Sequence, residues 1–458
     1  MTTAGFGQEH FGGANLGHKR RTDCLVRIAD QLQRHPGGTL PDKLSSPKDY
    51  KALVRLANRP TVSHATVLEP HRARTLRRLA ECSSPTLLLI HDATELDYSG
   101  LTSLTGHVGQ IGNGHGQGYL CHNTLAVDPQ RREVLGLANQ ILHCRDRVSP
   151  TEGVAVKRLR QSRESRLWTK AVQQIGPVAP GKRIVDVCDR GADVFEFLAW
   201  EVKQQRSFVV RSTYNRSIQV DGQADTYLHD YARTLPTLGT RSLKVQGRDG
   251  APDRTARVSV SAAAVRVRPP HVRRGDYDKV PLDLWVVRVW ESDAAPGTEA
   301  LEWLLLTNVP APTTAEAWER IDWYQCRWVI EEYHKAQKTG CGIEELQFTT
   351  VQALEPLIAL LSVLAVTLLN LRDASRQPDA ATRLATEVVD GSYVEVLSRW
   401  RFKEVRPTMT VQEFFQALAR LGGHQNRKRD GQPGWLVLWR GWMKLQLLQT
   451  GYDIRGQS

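Results

Sequence analysis

The sequence predicts a mixed α/β protein, with a strand-bearing core between a helical N-terminal segment and a helical C-terminal region. Three observations carry this. Two compact apolar runs, "TLLLI" and "RIVDVC", read as buried strands with acidic residues just beyond them. Strand-like stretches recur between residues 205 and 308, whereas the chain beyond Gly340 is largely helical in spacing. A length of 458 residues with 41% hydrophobic content supports a sizeable core. That length suits about three domains as a prior.

The N-terminal part, expected to be a helical module over residues 1–75, contains "NLGHKRRTDCLVRIADQLQRH" with Leu25, Ile28, Ala29 and Leu32 at helical spacing. Lys19, Arg20, Arg21 and Arg27 cluster at and near the start of that helix. A solvated helix face is the plain reading of such residues. The whole chain, however, carries a formal charge of +12, from 61 Lys+Arg against 49 Asp+Glu. That excess favours an anionic partner, nucleic acid being the commonest.

The core is expected over residues 76–375. After "TLLLI" come His91 and Asp92, then the glycine-rich "GQIGNGHGQG". It lacks the G-K-[ST] of a phosphate loop and no helix pattern follows, so it reads as a hairpin connection. Strand-like "YLCHNTLAV" and "VLGLANQILH" follow, then a helix around residues 151–175, then "RIVDVC", ending at Asp189. "SFVVRS", "ARVSVSAAAVRV", "LDLWVVRVW" and "EWLLLTNV" make the stretch 205–308 strand-rich, and a helix opens near Thr314. The apolar run "LIALLSVLAVTLL", Leu357 to Leu369, is too short to span a bilayer and reads as a buried helix. The region 376–458 is expected to be helical. Its Trp435, Trp439 and Trp442 recur at i, i+4, i+7, a spacing that suits core or subunit packing.

Other classes are disfavoured. The opening "MTTAGFGQEHFGG" shows no signal pattern. Seven cysteines without C-x-x-C spacing read as reduced thiols of a cytoplasmic protein. Cys121, His122, His143 and Cys144 are zinc-type residues, but neighbours on a strand point to opposite faces.

The chemistry concentrates in "WYQCRWVIEEYHKAQKTG", Trp323 to Gly340. At about 100° per residue, Tyr324, Arg327, Glu331 and Lys338 fall within an arc of about 60°. Glu332 lies roughly 80° or more away. Taken alone, this is a solvated face with an i,i+4 Arg–Glu pair. Asp92 and Asp189 give it a second meaning. Ends of neighbouring parallel strands converge on one sheet edge, where open α/β sheets place their sites. Glu331, from a helix beside that edge, completes three carboxylates, which repel one another unless cations neutralise them. Oxygen ligands suit Mg²⁺ or Mn²⁺. Two such ions about 3.5–4 Å apart can serve phosphodiester chemistry. Among neighbouring acids, Asp186 is expected mid-strand on the opposite face, and Asp193 as a helix N-cap. Glu95 and Asp97 read as turn acids, either able to replace Asp92 if the strand runs further.

These residues resemble a family. "YQCRWVIEEYHKAQK" fits the Y-x2-R-x3-E-x6-K signature of bacterial insertion-sequence DDE transposases at Tyr324, Arg327, Glu331 and Lys338. "HDATELDYSG" resembles that family's first aspartate segment and "VDVCDRGAD" its second. "FGGANLGHKRRTDCLVRIADQL" resembles its end-binding domain, with "HKRR" where an acidic residue ordinarily follows Leu-Gly. The tail "ARLGGHQNRKRDGQPGWLVLWRGW" also resembles the family, so the likeness covers nearly the whole chain.

The resemblance implies an RNase H-like core interrupted by the β-rich insertion at about 205–308, with two metal ions held by Asp92, Asp189 and Glu331. It implies cut-and-paste transposition: a nick leaving a 3′-hydroxyl, a hairpin at the transposon end, hairpin opening, and attack on target DNA. Trp303 resembles the pocket residue for a flipped base, with Trp328 a second stacking candidate; Tyr324, Arg327 and Lys338 would hold phosphates, and Arg211 is a further DNA contact. Flipping a base costs a few kcal/mol, while stacking it on a ring returns roughly 1–3 kcal/mol. For either tryptophan alone, core packing is the plain reading. The partners implied are transposon-end and target duplex DNA and a second copy of the chain, a homodimer joined through the C-terminal region, in a bacterial, nucleoid-associated setting without a membrane. An RNase H-fold nuclease that does not join strands, and a non-catalytic DNA-binding regulator, are the alternatives.

Overall fold

A computed structural model of the chain describes residues 5–34, 38–44, 46–146, 162–177, 181–221, 225–245, 254–271, 277–294, 299–427 and 431–456. The N-terminal helices are α1 (Phe6–Phe11), α2 (Lys19–Arg34), α3 (Pro47–Ala57) and α4 (His64–Glu81). Leu25, Ile28, Ala29 and Leu32 form the buried stripe of α2, as the spacing predicts. Ser46 accepts a bond from the Asp49 amide ahead of Pro47 at the start of α3, and Ser63 and Thr66 form a capping box on α4. At Gly7 a Cβ would stand 2.1 Å from the Val26 carbonyl, so glycine lets α1 press against the α2 backbone. Helix α4 runs to Glu81, beyond the expected boundary at residue 75.

A large mixed sheet follows, with its helices between the strands in chain order. The first part contains β1 (Thr86–Asp97), β2 (Gly109–Ile111), β3 (Gly116–Asp128), β4 (Glu133–His143), α5 (Leu167–Ile175), β5 (Arg183–Cys188), α6 (Phe195–Lys203) and β6 (Ser207–Arg211). The second contains β7 (Ser217–Gln219), β8 (Thr226–Tyr227), α7 (Leu228–Thr234), β9 (Gly239–Val245), β10 (Arg254–Val267), β11 (Leu282–Glu291) and β12 (Glu302–Thr307). The order is β2-β3-β1-β5-β6-β12-β11-β10-β7-β8, with β4 on β3 and β9 on β10. Strand β3 is antiparallel to β1 and β4, while β5 is parallel to both β1 and β6. The glycine run is the β2–β3 hairpin connection.

The stretch 205–308 is strand-rich as expected, and β6 pairs in parallel with β5 and antiparallel with β12, so one sheet runs through both parts. Two expectations change. Strand β1 continues past the apolar run to Asp97, because β3 pairs with it from Leu88 to Asp97. Of the helix expected around 151–175, α5 covers Leu167–Ile175, and residues 151–161 lie outside the described residues.

Beyond the sheet come α8 (Thr314–Gln325), α9 (Trp328–Lys335), α10 (Val351–Ser375), α11 (Gly391–Phe402), α12 (Val411–Leu421) and α13 (Trp435–Gly456). Helix α10, at 25 residues, exceeds the expected run and is long and apolar enough to cross a bilayer. Yet 82% of its most apolar window is buried inside the protein, the environment of a core helix. Trp435, Trp439 and Trp442 are buried, and Trp442 packs 5.0 Å from the Tyr393 ring.

Candidate active site

The parallel pairing of β1 with β5 ends at His91 opposite Cys188. Asp92 and Asp189 each follow those last paired residues, so both come off the same end of the strand pair. Asp92 lies within β1 rather than past its end, opposite Asn123 of β3. Its Oδ1 accepts the Ala93 amide at 2.8 Å. Asp189 opens a 3-10 turn, its Oδ1 accepting the Gly191 amide at 2.9 Å. A Cβ on Gly191 would stand 2.7 Å from the Trp168 ring, which backs this turn.

The third carboxylate comes from the signature segment, which is not one continuous α-helix. Helices α8 and α9 meet at Cys326 and Arg327, where i→i−3 bonds from Arg327, Val329 and Ile330 tighten the chain. Ala336–Gly340 then forms a π-helical turn. Arg327 donates from Nη1 to Asp92 Oδ2 at 3.0 Å and from Nη2 to Glu331 Oε1 at 2.6 Å. One guanidinium therefore ties β1 to α9 between two of the three acids.

Charge and burial oppose each other here. Burial pushes the Asp92 carboxyl up to about 7, with the Asp189 charge adding, Arg327 opposing and Glu331 contributing in the upward direction. Burial works against the Arg327 charge, but Tyr324, Asp92 and Glu331 outweigh it and hold its pKa above the ordinary value. Burial likewise raises the Tyr324 phenol, against the pull of Arg327 and Arg211.

The adjacent glutamates divide. Glu332 pairs with Arg372 of α10, which also holds Asp373 at 2.6 Å. Lys338, within the π turn, pairs with Glu344 at 3.0 Å. Tyr324 and Trp303 pack edge to face, ring centroids 5.4 Å apart, and both are buried. Arg211 ends β6, bonds the Tyr324 hydroxyl and donates to the Glu302 carbonyl at 3.3 Å. The Arg327 guanidinium lies 5.4 Å from the Trp328 ring.

Other acids lie elsewhere. Asp186 is fully buried, bonded to His91 Nε2 at 2.8 Å and to Arg206. Asp193 is not the N-cap of α6: it accepts the amides of Thr213 and Tyr214 at 2.6 and 3.0 Å and pairs with Arg216, ordering that loop. Glu95 pairs with Arg145, and Asp97 accepts the Ser99 amide at 2.8 Å. Among the described residues no three His, Cys, Asp or Glu side chains are arranged to hold a metal ion, and Cys121, His122, His143 and Cys144 form no such group.

Sequence reasoning missed a buried polar layer under the site. Gln337, in the π turn, and Gln140, on β4, both donate to Ser362 Oγ at 2.9 Å, and Gln140 also donates to Asn123 Oδ1 at 2.7 Å. No residue type in that layer signals a site; only β3–β4 pairing and the π turn bring its members together.

Toward the N-terminus, Lys19 and Arg20 are exposed on α2. Arg21 is tied to the Leu16 carbonyl and Thr61 Oγ1 at 3.0 and 2.9 Å, and Arg27 to Asp49. Two of the four expected cations thus have structural partners. Residues 3–62, which carry them, match the protein family described as transposase DNA-binding, which supports DNA as a partner and a transposase role for the chain.

Proposed function

We propose that this chain is a DDE transposase of the Y-R-E-K type, which excises and integrates an insertion sequence. The observation that carries the reading is that Arg327 bonds both Asp92 and Glu331, with the Asp189 charge felt at Asp92, in a chain whose N-terminal segment matches a transposase DNA-binding family. The half-sheet β4-β3-β1-β5-β6, antiparallel on one side of β1 and parallel on the other, supports an RNase H-like core.

As hard oxygen donors, Asp92, Asp189 and Glu331 suit a divalent cation in chemistry. They are not grouped closely enough here to hold one, two of them being bonded to Arg327. Burial first, and then the Asp189 and Glu331 charges, raise the proton affinity of Asp92, and a cation would relieve that penalty. Asp92, Asp189 and Glu331 would hold Mg²⁺ or Mn²⁺, two ions per site. When bound, the ions supply positive charge for in-line displacement at phosphorus.

The rest of the chemistry belongs to the chain. Arg327, with five fixed donors, suits a phosphate beside the scissile bond. The Tyr324 ring lies 5.8 Å from that guanidinium and is itself bonded by Arg211, and Lys338 would supply a further cation along the DNA path. Trp303 sits directly behind Tyr324, where uncovering its ring would offer a stacking surface to a base flipped from a hairpin end. Lys19 and Arg20 would meet the backbone of the transposon end, and the working unit would be a homodimer holding two ends.

The test uses a duplex containing the DNA that flanks the protein's own gene, incubated with Mg²⁺ and resolved on a denaturing gel. Nicks and hairpins at the element boundary are expected from the wild-type protein. Asp92→Asn and Asp189→Asn should abolish both while binding of the duplex persists. Nicks without hairpins or joined products would favour a nuclease. Undiminished cleavage in both variants would refute the reading.

A further inference from the structure

Arg327 is expected to hold DNA phosphate, yet here its guanidinium is spent on protein carboxylates. Nη1 lies 3.0 Å from Asp92 Oδ2 and Nη2 lies 2.6 Å from Glu331 Oε1. Those two acids come from strand β1 and helix α9, so a single side chain spans the gap between their elements. The arginine is buried, and the Tyr324 and Trp328 rings lie 5.8 and 5.4 Å from its carbon. Its head is therefore held in place rather than sampling solvent. A carboxylate oxygen that accepts a bond from a guanidinium is not free to ligate a cation on the same lone pair.

We propose that Arg327 is an internal counter-ion that closes the acid site of the DNA-free protein, so that divalent-cation loading is coupled to DNA. This rests on the proposed function, and adds to it an order of events. Without DNA the guanidinium neutralises Asp92 and Glu331 and competes with an incoming cation. With DNA in the cleft, a phosphate offers the guanidinium another bidentate acceptor. The swing exchanges one anionic partner of the guanidinium for another and uncovers two of the three carboxylates, whose charge the incoming cation then neutralises. Cleavage competence then depends on a correctly seated strand, which guards against idle hydrolysis at other sequences. Reciprocity follows: whatever factor DNA adds to cation affinity, the cation must add to DNA affinity.

Mn²⁺ binding, followed by the loss of free-ion electron paramagnetic resonance signal, reads this without any turnover. Wild-type protein is expected to bind Mn²⁺ weakly alone. It should bind about tenfold more tightly, within the usual range of coupling between sites, with a pre-cleaved end duplex that offers no scissile bond. Arg327→Gln should bind Mn²⁺ tightly without DNA and gain little when DNA is added. Lys335→Gln removes an exposed cation from the same helix that holds neither acid, and should behave as wild type. Equal Mn²⁺ affinity of wild-type protein with and without the duplex overturns the inference and needs no variant to fold. Equal tightening by Lys335→Gln and Arg327→Gln also overturns it, since general charge would then suffice. If no protein binds Mn²⁺ even with the duplex, the proposed metal-dependent function fails, and this inference with it.

Discussion

Glu331 and Glu332 are neighbours in the chain, yet one faces Asp92 through Arg327 and the other faces α10 through Arg372. The helical wheel separates them because one residue of helix turns the side chain by about 100°. That much was legible in the sequence, since Tyr324, Arg327 and Glu331 all lie within two turns. Nothing in "HKAQKTG" announces the π turn that carries Lys338, nor its pairing with Glu344. Trp303 shows a different limit. Its type fits both a stacking surface and a core residue, and the ring is buried against Tyr324. Trp303→Ala removes a buried indole and should cost about 3–5 kcal/mol of stability. If the ring also receives a flipped base, hairpin formation should slow more than the first nick in a gel time course. Equal slowing of both steps would contradict that role.

At the scale of elements, the turn after β5 sets the position of Asp189. Because Gly191 leaves room for the Trp168 ring, Gly191→Ala must move either the ring or the turn. The expected outcome is at least about a tenfold loss in nicking rate, equal to about 1.4 kcal/mol of transition-state stabilisation, with duplex binding unchanged. An unchanged nicking rate would show that the turn absorbs the extra carbon. The N-terminal helices are fastened by a second local device. Leu137 donates its amide to His71 Nε2 at 3.0 Å, so His71 carries its proton on Nδ1 and donates to His10 Nδ1 at 2.7 Å. Burial pushes His10 from the ordinary 6.5 down to about 3, with Arg74 and Arg78 adding, and burial also holds His71 well below its ordinary value. The unfolded chain then takes up protons that the folded one refuses, so stability is lost as pH falls from about 6.5 towards 3. His10→Asn keeps an acceptor for His71 and removes one titrating ring. Its melting temperature should fall less than that of the wild type between about pH 7 and pH 4; equal slopes would contradict the assignment. The helices themselves were readable from apolar spacing at Leu25, Ile28, Ala29 and Leu32. The histidine contact was not, because its partners are 61 residues apart.

Across the whole molecule, the sequence marked strands well and their neighbours poorly. "TLLLI" and "RIVDVC" stand out by composition, but that β6 lies between β5 and β12 depends on pairings between residues such as Arg211 and Leu305. No local pattern encodes such a pairing. The sequence singled out Asp92, Asp189 and Glu331 by their place beside strand and helix, but not the polar layer of Asn123, Gln140, Gln337 and Ser362. The C-terminal helix bears on assembly. Its tryptophans are spent on the core, while Leu447 is 74% exposed near the other end of α13. If that end meets a second copy, Leu447→Glu should leave the melting temperature unchanged and reduce complexes holding two DNA ends on a native gel. Undiminished paired complexes would place the dimer contact elsewhere.

The central claim is that one particular carboxylate of the adjacent pair belongs to the acid site. Glu331→Gln and Glu332→Gln, assayed side by side for Mg²⁺-dependent nicking of the flanking duplex, test it most directly. No nicks are expected from the first and continued nicking from the second, with a lower melting temperature where Arg372 has lost its partner. Nicking by the Glu331 variant, with none from the Glu332 variant, would contradict it.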